Sequence, residues 1–520
     1  MKTLKSYLCG SWQAGSGEGA PLHNPATGEV LATASTEGLD FGAALQYARE
    51  VGGPNLRALT FRERGERLKA LAKLIHEARE ELIEASIANA GTTRGDAKFD
   101  IDGASGTLAA YAHFAKSLPD TPFIVEDDGE QLTRSARFFG YHVKSPREGV
   151  AVQINAFNFP AWGLAEKAAC ALLAGMPIVT KPATSTALLA HDLIQKIVAS
   201  EILPEGALQF VCGSAGDMLS HMGGQDCLAF TGGSATGVKL RAHPVVVEKN
   251  VRVNIEADSL NATILAADAD EDGDLYQLFL RHVVLEVTQK SGQKCTATRR
   301  VLVPRDRIEK VQADIAEAFA EIRIGAPGLS EVRMGPLATM SQLQDARAGI
   351  TQLQEAGARI VYGDPNRVDL IGADAEKGAF IGPVLLRADD AARIPAIHER
   401  EVFAPVTTLI PYDSNEEAIE LVAKGEGSLV ATLYSDDRAT IAQTALGIAP
   451  YSGRVVVGGT KVAEQMTTPG MVLPSCIHGG PGRAGGGEEL GGLRGLDFYM
   501  QRTAIQGDRG ILERVLQKRS

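Results

Sequence analysis

The sequence has few cysteines, six in 520 residues, and none has the CxxC or Cys/His spacing that tetrahedral metal sites use. Such sparse cysteines are typical of proteins whose thiols stay reduced in a cytosol. We therefore expect neither disulfides nor a metal site, and we predict a cytoplasmic protein.

Long apolar runs and an excess of basic residues are also missing. No stretch approaches the roughly 18 apolar residues of a membrane span, and the amino-terminal segment lacks the apolar core of a signal peptide. The net charge is -12 with both signs interspersed. This excludes a general nucleic-acid or anionic-membrane surface, although a local basic pocket stays possible. We therefore expect no nucleic-acid or membrane partner.

What is present is ample apolar content, 44% of a chain long enough for about three domain-sized units. From residue 149 onward, segments typical of buried strands alternate with helical segments, which predicts a doubly wound parallel sheet. A nucleotide usually binds at the carboxyl ends of such strands, although an α/β domain without a cofactor remains an alternative. The predicted strands are 149–154, 177–180, 208–211 and 227–230, and the predicted helices are 161–174, 187–198, one near Asp217 and one from Ser234.

Other elements flank this region. A capping box at Thr60 and Glu63 predicts a long helix that continues to Leu82. Alternating residues at 118–144 predict a protruding hairpin, and residues 24–30 and 498–506 are predicted to be strands. A second α/β region follows from residue 261, with predicted helices 308–322, 341–356 and 416–423 and predicted strands 359–362 and 429–433.

Two stretches have the composition of functional loops. Cys295 lies in a short polar segment between a predicted helix and a predicted strand, where a substrate could reach it, although a structural thiol is the alternative. Residues 478–492 are dominated by glycine but lack the Gly-Lys-Ser/Thr of a phosphate-binding P-loop. We interpret that loop as a flexible connector and exclude nucleotide triphosphate binding there.

Six short motifs occur in a characteristic order along the chain. They are Asn-Pro-Ala-Thr-Gly (24–28), Phe-Asn-Phe-Pro (157–160), Lys-Pro (181–182), Phe-Thr-Gly (230–232), Gly-Gln-Lys-Cys (292–295) and Glu-Val-Phe-Ala-Pro (401–405). Together they resemble the signature motifs of the NAD(P)-dependent aldehyde dehydrogenases over almost the whole chain. Residues 255–261 and the glycine-rich loop resemble the branch that acts on coenzyme A-linked semialdehydes in aromatic-acid degradation.

The resemblance implies an α/β, aldehyde dehydrogenase-like fold, with a Rossmann-like cofactor domain, an α/β catalytic domain and a small β oligomerisation element. It implies a homodimer or a dimer of dimers. The implied divisions are an NADP-binding domain at 1–259, interrupted by an oligomerisation hairpin at about 118–147, a catalytic domain at 260–477, a glycine-rich loop at 478–494 that returns to the cofactor domain, and an oligomerisation strand and tail at 495–520.

The resemblance also assigns catalytic roles. Cys295 attacks the aldehyde and carries the acyl group as a thioester, because a tetrahedral thiohemiacetal expels hydride more readily than an aldehyde does. Asn158 and the Cys295 backbone N–H would hold the oxyanion, and Glu256 would activate water for hydrolysis. Lys167 and Glu489 match a proposed proton route. Without the family, a structural Asn158 and a solvated Lys167–Glu489 pair would be preferred.

The implied cofactor is NADP, with NAD as the weaker alternative. In NAD-preferring relatives a glutamate follows the Lys-Pro pair by two positions, whereas Thr184 stands there in this chain. For Gly232 and Gly233, the alternative to cofactor binding is a packing role, in which small residues let the following helix lie close to the sheet. The implied cofactor-binding residues are Lys181, Thr184, Phe157, Gly232, Gly233, Ser234, Glu401 and Phe403.

Some residues depart from the family pattern. The flexible residues that usually follow Glu256 are replaced, Phe157 stands for a tryptophan, and Ala404 stands for a glycine. The alternatives to a hydrolytic dehydrogenase are a coenzyme A-acylating dehydrogenase, a noncatalytic structural protein of the same fold and a thiol esterase. Acylating relatives generally lack the carboxylate at Glu256, which favours hydrolysis.

Overall fold

The computed structural model describes residues 2–517. The strands are β1 Lys2–Leu4, β2 Ser6–Leu8, β3 Ser11–Gln13, β4 Ala20–His23, β5 Val30–Ala34, β6 Ile124–Val125, β7 Glu130–Gln131, β8 Phe138–Pro146, β9 Ala151–Ile154, β10 Ile178–Lys181, β11 Leu208–Phe210, β12 Cys227–Thr231, β13 Arg252–Glu256, β14 Ala262–Leu265, β15 Arg300–Pro304, β16 Arg359–Tyr362, β17 Val384–Arg387, β18 Val406–Tyr412, β19 Ser428–Tyr434, β20 Ser452–Gly458, β21 Ile477–Gly479, β22 Glu488–Leu490 and β23 Met500–Asp508.

Most helices lie between these strands. They are α1 Phe41–Tyr47, α2 Gly53–Arg57, α3 Phe61–Glu77, α4 Arg79–Ala90, α5 Arg94–Phe114, α6 Trp162–Ala174, α7 Ala187–Ala199, α8 Ser234–Arg241, α9 Pro244–Glu248, α10 Asp274–Thr288, α11 Ile308–Ala320, α12 Met340–Glu355, α13 Pro395–Glu399, α14 Asn415–Ala423, α15 Arg438–Ile448 and α16 Arg509–Val515. No helix among residues 2–517 is long and apolar enough to cross a membrane.

The first large sheet has the strand order β13-β12-β9-β10-β11-β2-β3, and its five strands from β9 to β13 are parallel. Its side chains pack against helices on both faces: Ile178 contacts the core that contains α6 and α7, whereas Val179 contacts the core that contains α1. Burial on both faces explains the continuous apolar runs of these strands. The predicted doubly wound parallel sheet is confirmed.

The strand order reverses at β9, which pairs with both β10 and β12. Such a switch point leaves a crevice at the carboxyl ends of the strands, because the connections on its two sides run in opposite directions. Asn155, Lys181, Thr231 and Glu256 lie at the carboxyl ends of β9, β10, β12 and β13. The sheet therefore brings four distant parts of the sequence to one edge.

The second large sheet has the order β16-β17-β18-β15-β14-β19-β20 and is also covered by helices on both faces. The predicted division after residue 259 falls in the link between β13 and β14. A separate sheet joins the 118–144 hairpin to the carboxyl-terminal strand, since β23 pairs with β8 along all nine of its residues. The structure thus combines the two segments that were predicted to form one element.

Two predicted elements near the amino terminus are wrong. Residues 24–29 do not form a strand, and β5 begins only at Val30. Asn24 Oδ1 accepts a hydrogen bond from Ala26 N (2.9 Å) and the Asn24 carbonyl accepts one from Gly28 N (2.8 Å), which makes a turn. The capping box at Thr60 is present, but the helix does not continue to Leu82. It ends at Ala78, where ψ is 1°, and a new helix begins.

The glycine-rich loop is not a flexible connector. Its ends form the antiparallel pair β21–β22, and its middle lies against β13, where Gly487 N donates to the Ile255 carbonyl (3.1 Å) and Ala257 N donates to the Ala484 carbonyl (3.0 Å). A Cβ atom added at Gly485 would lie 2.3 Å from the Ile255 carbonyl oxygen. Glycine is therefore required there for close backbone contact rather than for mobility.

Candidate active site

The segment before Cys295 has a backbone that few residues adopt. Lys290, Ser291 and Gly292 all have positive φ, of 54°, 55° and 68°. A positive φ strains the backbone of a non-glycine residue, so Lys290 and Ser291 keep this conformation only because surrounding contacts hold it. Ser291 Oγ donates to the Gly335 carbonyl (2.8 Å), and a Cβ at Gly292 would lie 2.3 Å from the Ala404 carbonyl oxygen.

Buried polar contacts fix the rest of this segment. Lys294 Nζ lies 2.5 Å from Glu286 Oε2 on α10, and both side chains are fully buried. The Cys295 carbonyl accepts a hydrogen bond from Asn261 Nδ2 (2.8 Å), and Ala338 N donates to Gln293 Oε1 (2.9 Å). Thus each residue type in Gly-Gln-Lys-Cys has a structural task, and the sulfur faces the crevice of the first sheet.

Two side chains lie beside the Cys295 sulfur, Glu256 and His478, and the sequence analysis did not identify the histidine. Glu256 is the last residue of β13 and His478 lies in β21; both are buried. His478 Nε2 lies 3.2 Å from Glu256 Oε1 and 3.9 Å from Cys295 Sγ. Ligand atoms of all three residues lie within 4.8 Å of one another, an arrangement that the spacing in the sequence could not have shown.

The charges in this cluster are strongly coupled. Burial, followed by the negative charges of Glu256 and Glu166, raises the pKa of the Cys295 thiol well above its usual value. Burial also opposes the charge on Glu256, but His478 and Lys167 outweigh it and hold the pKa of this carboxyl well below its usual range. Burial would lower the pKa of His478, yet Glu256 and Glu166 raise it.

Asn158 lies where an oxyanion would form. It is buried and lines the cavities on both sides of Cys295. Its Nδ2 donates to the Gln293 carbonyl (3.1 Å), and a side-chain amide nitrogen has a second hydrogen to donate. The predicted oxyanion role is therefore geometrically open to Asn158.

Lys167 and Glu489 form a buried pair rather than a solvated one. Lys167 Nζ lies 3.2 Å from Glu489 Oε1 and donates to Thr231 Oγ1 (2.6 Å). Thr231 Oγ1 in turn donates to Glu256 Oε2 (3.4 Å). A continuous chain of polar contacts thus leads from Glu256 through Thr231 and Lys167 to Glu489.

A cavity of about 460 Å³ lies at the switch point of the first sheet. Six of the eight predicted cofactor residues line it, namely Phe157, Lys181, Gly232, Gly233, Glu401 and Phe403. Thr184 and Ser234 do not line it, although Ser234 begins α8 directly behind the two glycines. Cys295 lines the same cavity, so a ligand in it can reach the sulfur.

The lining fits a dinucleotide in part through unsatisfied groups. Asn155 Oδ1, in the lining, is buried without a hydrogen-bond partner, which points to an external donor. Ser234 Oγ, outside the lining at the start of α8, is also buried without a partner. Lys181 Nζ donates only to the Pro182 carbonyl (2.9 Å), and burial lowers its pKa. Such a buried cation gains from a neighbouring anion.

Glu401 has protein partners at the other end of this cavity. Its carboxylate pairs with Arg299 (3.1 Å) and accepts a hydrogen bond from Ser259 N (2.9 Å). Burial raises the pKa of Glu401 to about 7, although Arg299 opposes this shift. A ribose hydroxyl would therefore have to share the carboxylate with Arg299.

Two further cavities lead from Cys295 to the surface. The inner channel is narrow, about 30 Å³, and apolar side chains such as Phe159 line it beside Cys295 and His478. An outer groove of about 520 Å³ shares Phe99, Trp162 and Val472 with this channel. The glycine-rich segment contributes only His478 to these two linings.

Comparison with known proteins identifies the fold and the family. The aldehyde dehydrogenase family model matches residues 12–505. The chain is 43% identical over 478 residues to 3,4-dehydroadipyl-CoA semialdehyde dehydrogenase from Aromatoleum evansii, covering 92% of this chain and 93% of that protein. Its fold matches a betaine aldehyde dehydrogenase mutant from Staphylococcus aureus in complex with NAD+, with a TM-score of 0.85, 23% identity and 98% of each chain covered.

We expect Cys295→Ala to abolish aldehyde oxidation and to leave dinucleotide binding largely intact, because Cys295 supplies the sulfur but only a small part of the cavity lining. Turnover and fluorescence titration of the dinucleotide measure the two effects separately. Residual dehydrogenase turnover above that of a mock purification would contradict the assignment of Cys295.

We expect Glu256→Gln to give a burst of one reduced cofactor per site followed by slow turnover, because hydride transfer precedes hydrolysis of the thioester. Stopped-flow absorbance and intact mass of the trapped acyl-enzyme measure this. An unchanged steady-state rate would move the base to another residue.

Proposed function

Because the chain belongs to the aldehyde dehydrogenase family, we propose that it oxidises a coenzyme A-linked semialdehyde to the carboxylic acid with NADP as the oxidant. The observation that carries this proposal is the junction of two cavities at Cys295, one with the features of a dinucleotide site and one leading to the surface. The name of the Aromatoleum evansii relative supports the substrate class, and 3,4-dehydroadipyl-CoA semialdehyde is a specific candidate.

The first half of the reaction attaches the aldehyde to the enzyme. The Cys295 sulfur adds to the carbonyl carbon, and the developing oxyanion is held by the Asn158 amide and the Cys295 backbone N–H. Loss of one such donor typically costs about 3 kcal/mol of transition-state stabilisation. The dinucleotide supplies the hydride acceptor when bound. Residues of the switch-point cavity orient it toward the thiohemiacetal carbon.

The second half releases the acid. Glu256 takes a proton from water, and the hydroxyl adds to the thioester, which then expels the Cys295 sulfur. The position of the buried Glu256 beside the sulfur favours hydrolysis over transfer of the acyl group to coenzyme A. The buried chain through Thr231 and Lys167 to Glu489 provides a route by which Glu256 can lose the proton it gains.

Cofactor choice rests on Lys181 and Thr184. Lys181 ends β10 and faces the cavity, and Thr184 begins the short turn that follows. A hydroxyl at 184 can donate to the 2′-phosphate of NADP, and a lysine can pair with it. A glutamate there would repel the phosphate by about 4 kcal/mol at 4 Å and an effective dielectric constant of about 20.

We expect Thr184→Glu to shift the preference in catalytic efficiency toward NAD by at least roughly tenfold, since solvent screens part of that repulsion. Thr184→Ser is the matched control, because it keeps the hydroxyl. Steady-state kcat/KM for NADP and NAD measures the shift. A wild-type preference for NAD would refute the assignment.

The surface end of the substrate route suits an anionic handle. The outer groove carries only Lys98 and Asp102 as charged residues, so it is not basic by itself. It continues through Gly95, Lys98 and Gln289 into a groove of about 820 Å³. That groove adds the cations Arg94, Arg281 and Arg333 and the buried Asp96, and Arg94 is paired with Glu80. We place the phosphates of coenzyme A there, while the aldehyde end enters the narrow channel.

We expect a six-carbon semialdehyde linked to coenzyme A to be oxidised with higher kcat and lower KM than the free semialdehyde, because the handle orients the reacting end. The double variant Arg281→Ala/Arg333→Ala should raise KM for the linked substrate roughly tenfold and leave the free one unchanged. Arg438→Ala, at the start of α15 and outside these cavity linings, is the control.

Equal efficiency for the linked and free substrates would refute the tethered-substrate proposal while leaving aldehyde oxidation in place. A handle effect that the double variant does not change would move the coenzyme A site elsewhere.

We also infer self-association through the outlying β element, as a homodimer or a dimer of dimers. The sheet formed by β8 and β23 has exposed apolar side chains at its rim, including Phe138 (39% exposed) and Leu132 (40% exposed). Such side chains are typical of surfaces that a second copy covers.

A further inference from the structure

His478 is not among the residues that the family resemblance identified, and neither the proposed nucleophile nor the proposed base explains its position. It lies in β21, opposite Glu489 in β22, and its side chain is turned inward and buried. A buried histidine needs a partner for its ring nitrogens. Here one nitrogen, Nε2, lies within reach of both reactive side chains, at 3.9 Å from Cys295 Sγ and 3.2 Å from Glu256 Oε1.

Nε2 approaches the two partners differently. It lies 3.2 Å from Glu256 Oε1, the distance of an ion pair, and 3.9 Å from Cys295 Sγ, the distance of a weak hydrogen bond to sulfur. The ring nitrogen therefore contacts both the carboxylate and the sulfur, and it is close enough to the sulfur to exchange a proton with it. A similar Cys–His pair activates the thiol in other cysteine enzymes, because the imidazole can take the proton that the nucleophile must lose.

We propose that His478 is a further catalytic residue, whose Nε2 takes the Cys295 thiol proton when the sulfur attacks the aldehyde and returns it when the thioester breaks. The inference rests on the proposed role of Cys295 as the nucleophile.

The proton and electrons balance over the cycle. The neutral imidazole, with its hydrogen on Nδ1, accepts the S–H proton at Nε2, and the sulfur lone pair forms the bond to the carbonyl carbon. The carbonyl π pair moves to oxygen and later expels hydride to the dinucleotide. When water has added with loss of its proton to Glu256, the carbon–sulfur bond breaks, and the leaving sulfur regains the proton from Nε2.

Other charged groups near His478 favour this role. The Glu256 carboxylate stabilises the imidazolium that forms. Its second oxygen accepts a hydrogen bond from Thr231 Oγ1 and has a further lone pair for water. The thiol needs such an acceptor because burial, together with the carboxylates around it, raises its pKa and disfavours a free thiolate. The titratable and charged groups that face His478 from the packed elements are Glu256 on β13, Glu166 on α6, Cys295, Arg454 on β20 and Glu489 on β22.

The pH dependence has a definite sign. Glu256 and Glu166 raise the pKa of His478, so the imidazolium persists to a higher pH than in a solvated histidine. Because only the neutral ring accepts the thiol proton, the rate of attack by sulfur should rise as the pH passes upward through this pKa. Without His478, the inflection should move to the higher value set by the Cys295 thiol itself.

The test is the rate of Cys295 alkylation by iodoacetamide between pH 6 and 10, measured in a Cys476→Ser background because Cys476 is exposed. The adduct is assigned by peptide mass, and neither aldehyde nor dinucleotide is added. We expect His478→Gln to slow alkylation at pH 7.5 at least tenfold and to move the inflection upward by about one pH unit or more. If the folded His478→Gln variant and the protein with His478 show the same dependence of alkylation rate on pH, the proposal is overturned.

A double-mutant cycle separates proton acceptance from simple charge neutralisation. If His478 acts only by neutralising Glu256, His478→Gln will have no effect on alkylation in a Glu256→Gln background, and that result would overturn the proposal. If His478 accepts the proton, the tenfold loss persists there. A chelator is included, since the three side chains could together bind a metal ion.

Folding is checked by thermal unfolding and by dinucleotide binding. If His478→Gln fails either check, His478→Asn takes its place in both experiments, with the same expected and contrary outcomes. Addition of imidazole to His478→Ala should restore part of the lost alkylation rate, which a merely structural role of His478 would not produce. Turnover that persists in Cys295→Ala would instead defeat the proposed function, independently of these profiles.

Discussion

The active site depends on the backbone contact between the glycine-rich hairpin and β13. Hydrogen bonds from Gly487 to Ile255 and from Ala257 to Ala484 hold the two segments together on either side of Glu256. The same hairpin carries His478 and Glu489, one at each end. Because the three side chains are mounted on one hydrogen-bonded unit, their distances are set by backbone geometry. Side chains at the glycines would force the segments apart.

The buried charges explain why this unit must be rigid. Glu166, Glu256 and Glu489 offer carboxylate oxygens within 4.8 Å of one another, and Lys167 and His478 lie among them. Bringing carboxylates out of water is costly unless each is paired, and a loose cluster would admit water or shift its protons. Burial raises the pKa of Glu166 to about 7; the charge of His478 opposes this shift and that of Glu256 adds to it.

Much of the fold could be predicted from the sequence because it depends on local pattern. Apolar runs identified the strands of the first sheet, and Gly175 at the end of α6 has the positive φ expected of a helix terminator. The errors arose where a side chain competes with regular backbone hydrogen bonding, which the apolar pattern does not show. The Asn24 side chain, for example, closes a turn where a strand was predicted. Glu256 could be identified because it lies in a motif. The close contact of the glycine-rich hairpin with β13 could not be predicted, since glycine occurs both in mobile segments and where two backbones approach closely.

The same distinction, between local pattern and long-range contact, separates the site residues that the sequence identified from the one that it missed. Cys295 and Lys181 could be identified because each sits in a short motif, but His478 has no neighbouring signal. It is one of ten histidines and is 183 residues from its partner Cys295. The one feature that could have found it is its place at the start of the glycine-rich segment, where a backbone that needs so many glycines indicates a constrained position.

Long-range assembly also explains how an acidic protein can present a basic groove. The net charge of -12 describes the whole chain, whereas Arg94, Arg281 and Arg333 come from three separate segments that meet only in the folded structure. An attractive field at a groove depends on the charges within about one Debye length, not on the total. Composition therefore excludes a generally basic surface but not a local anion site. In this chain the groove that carries these arginines adjoins the outer groove, with which it shares Gly95, Lys98 and Gln289.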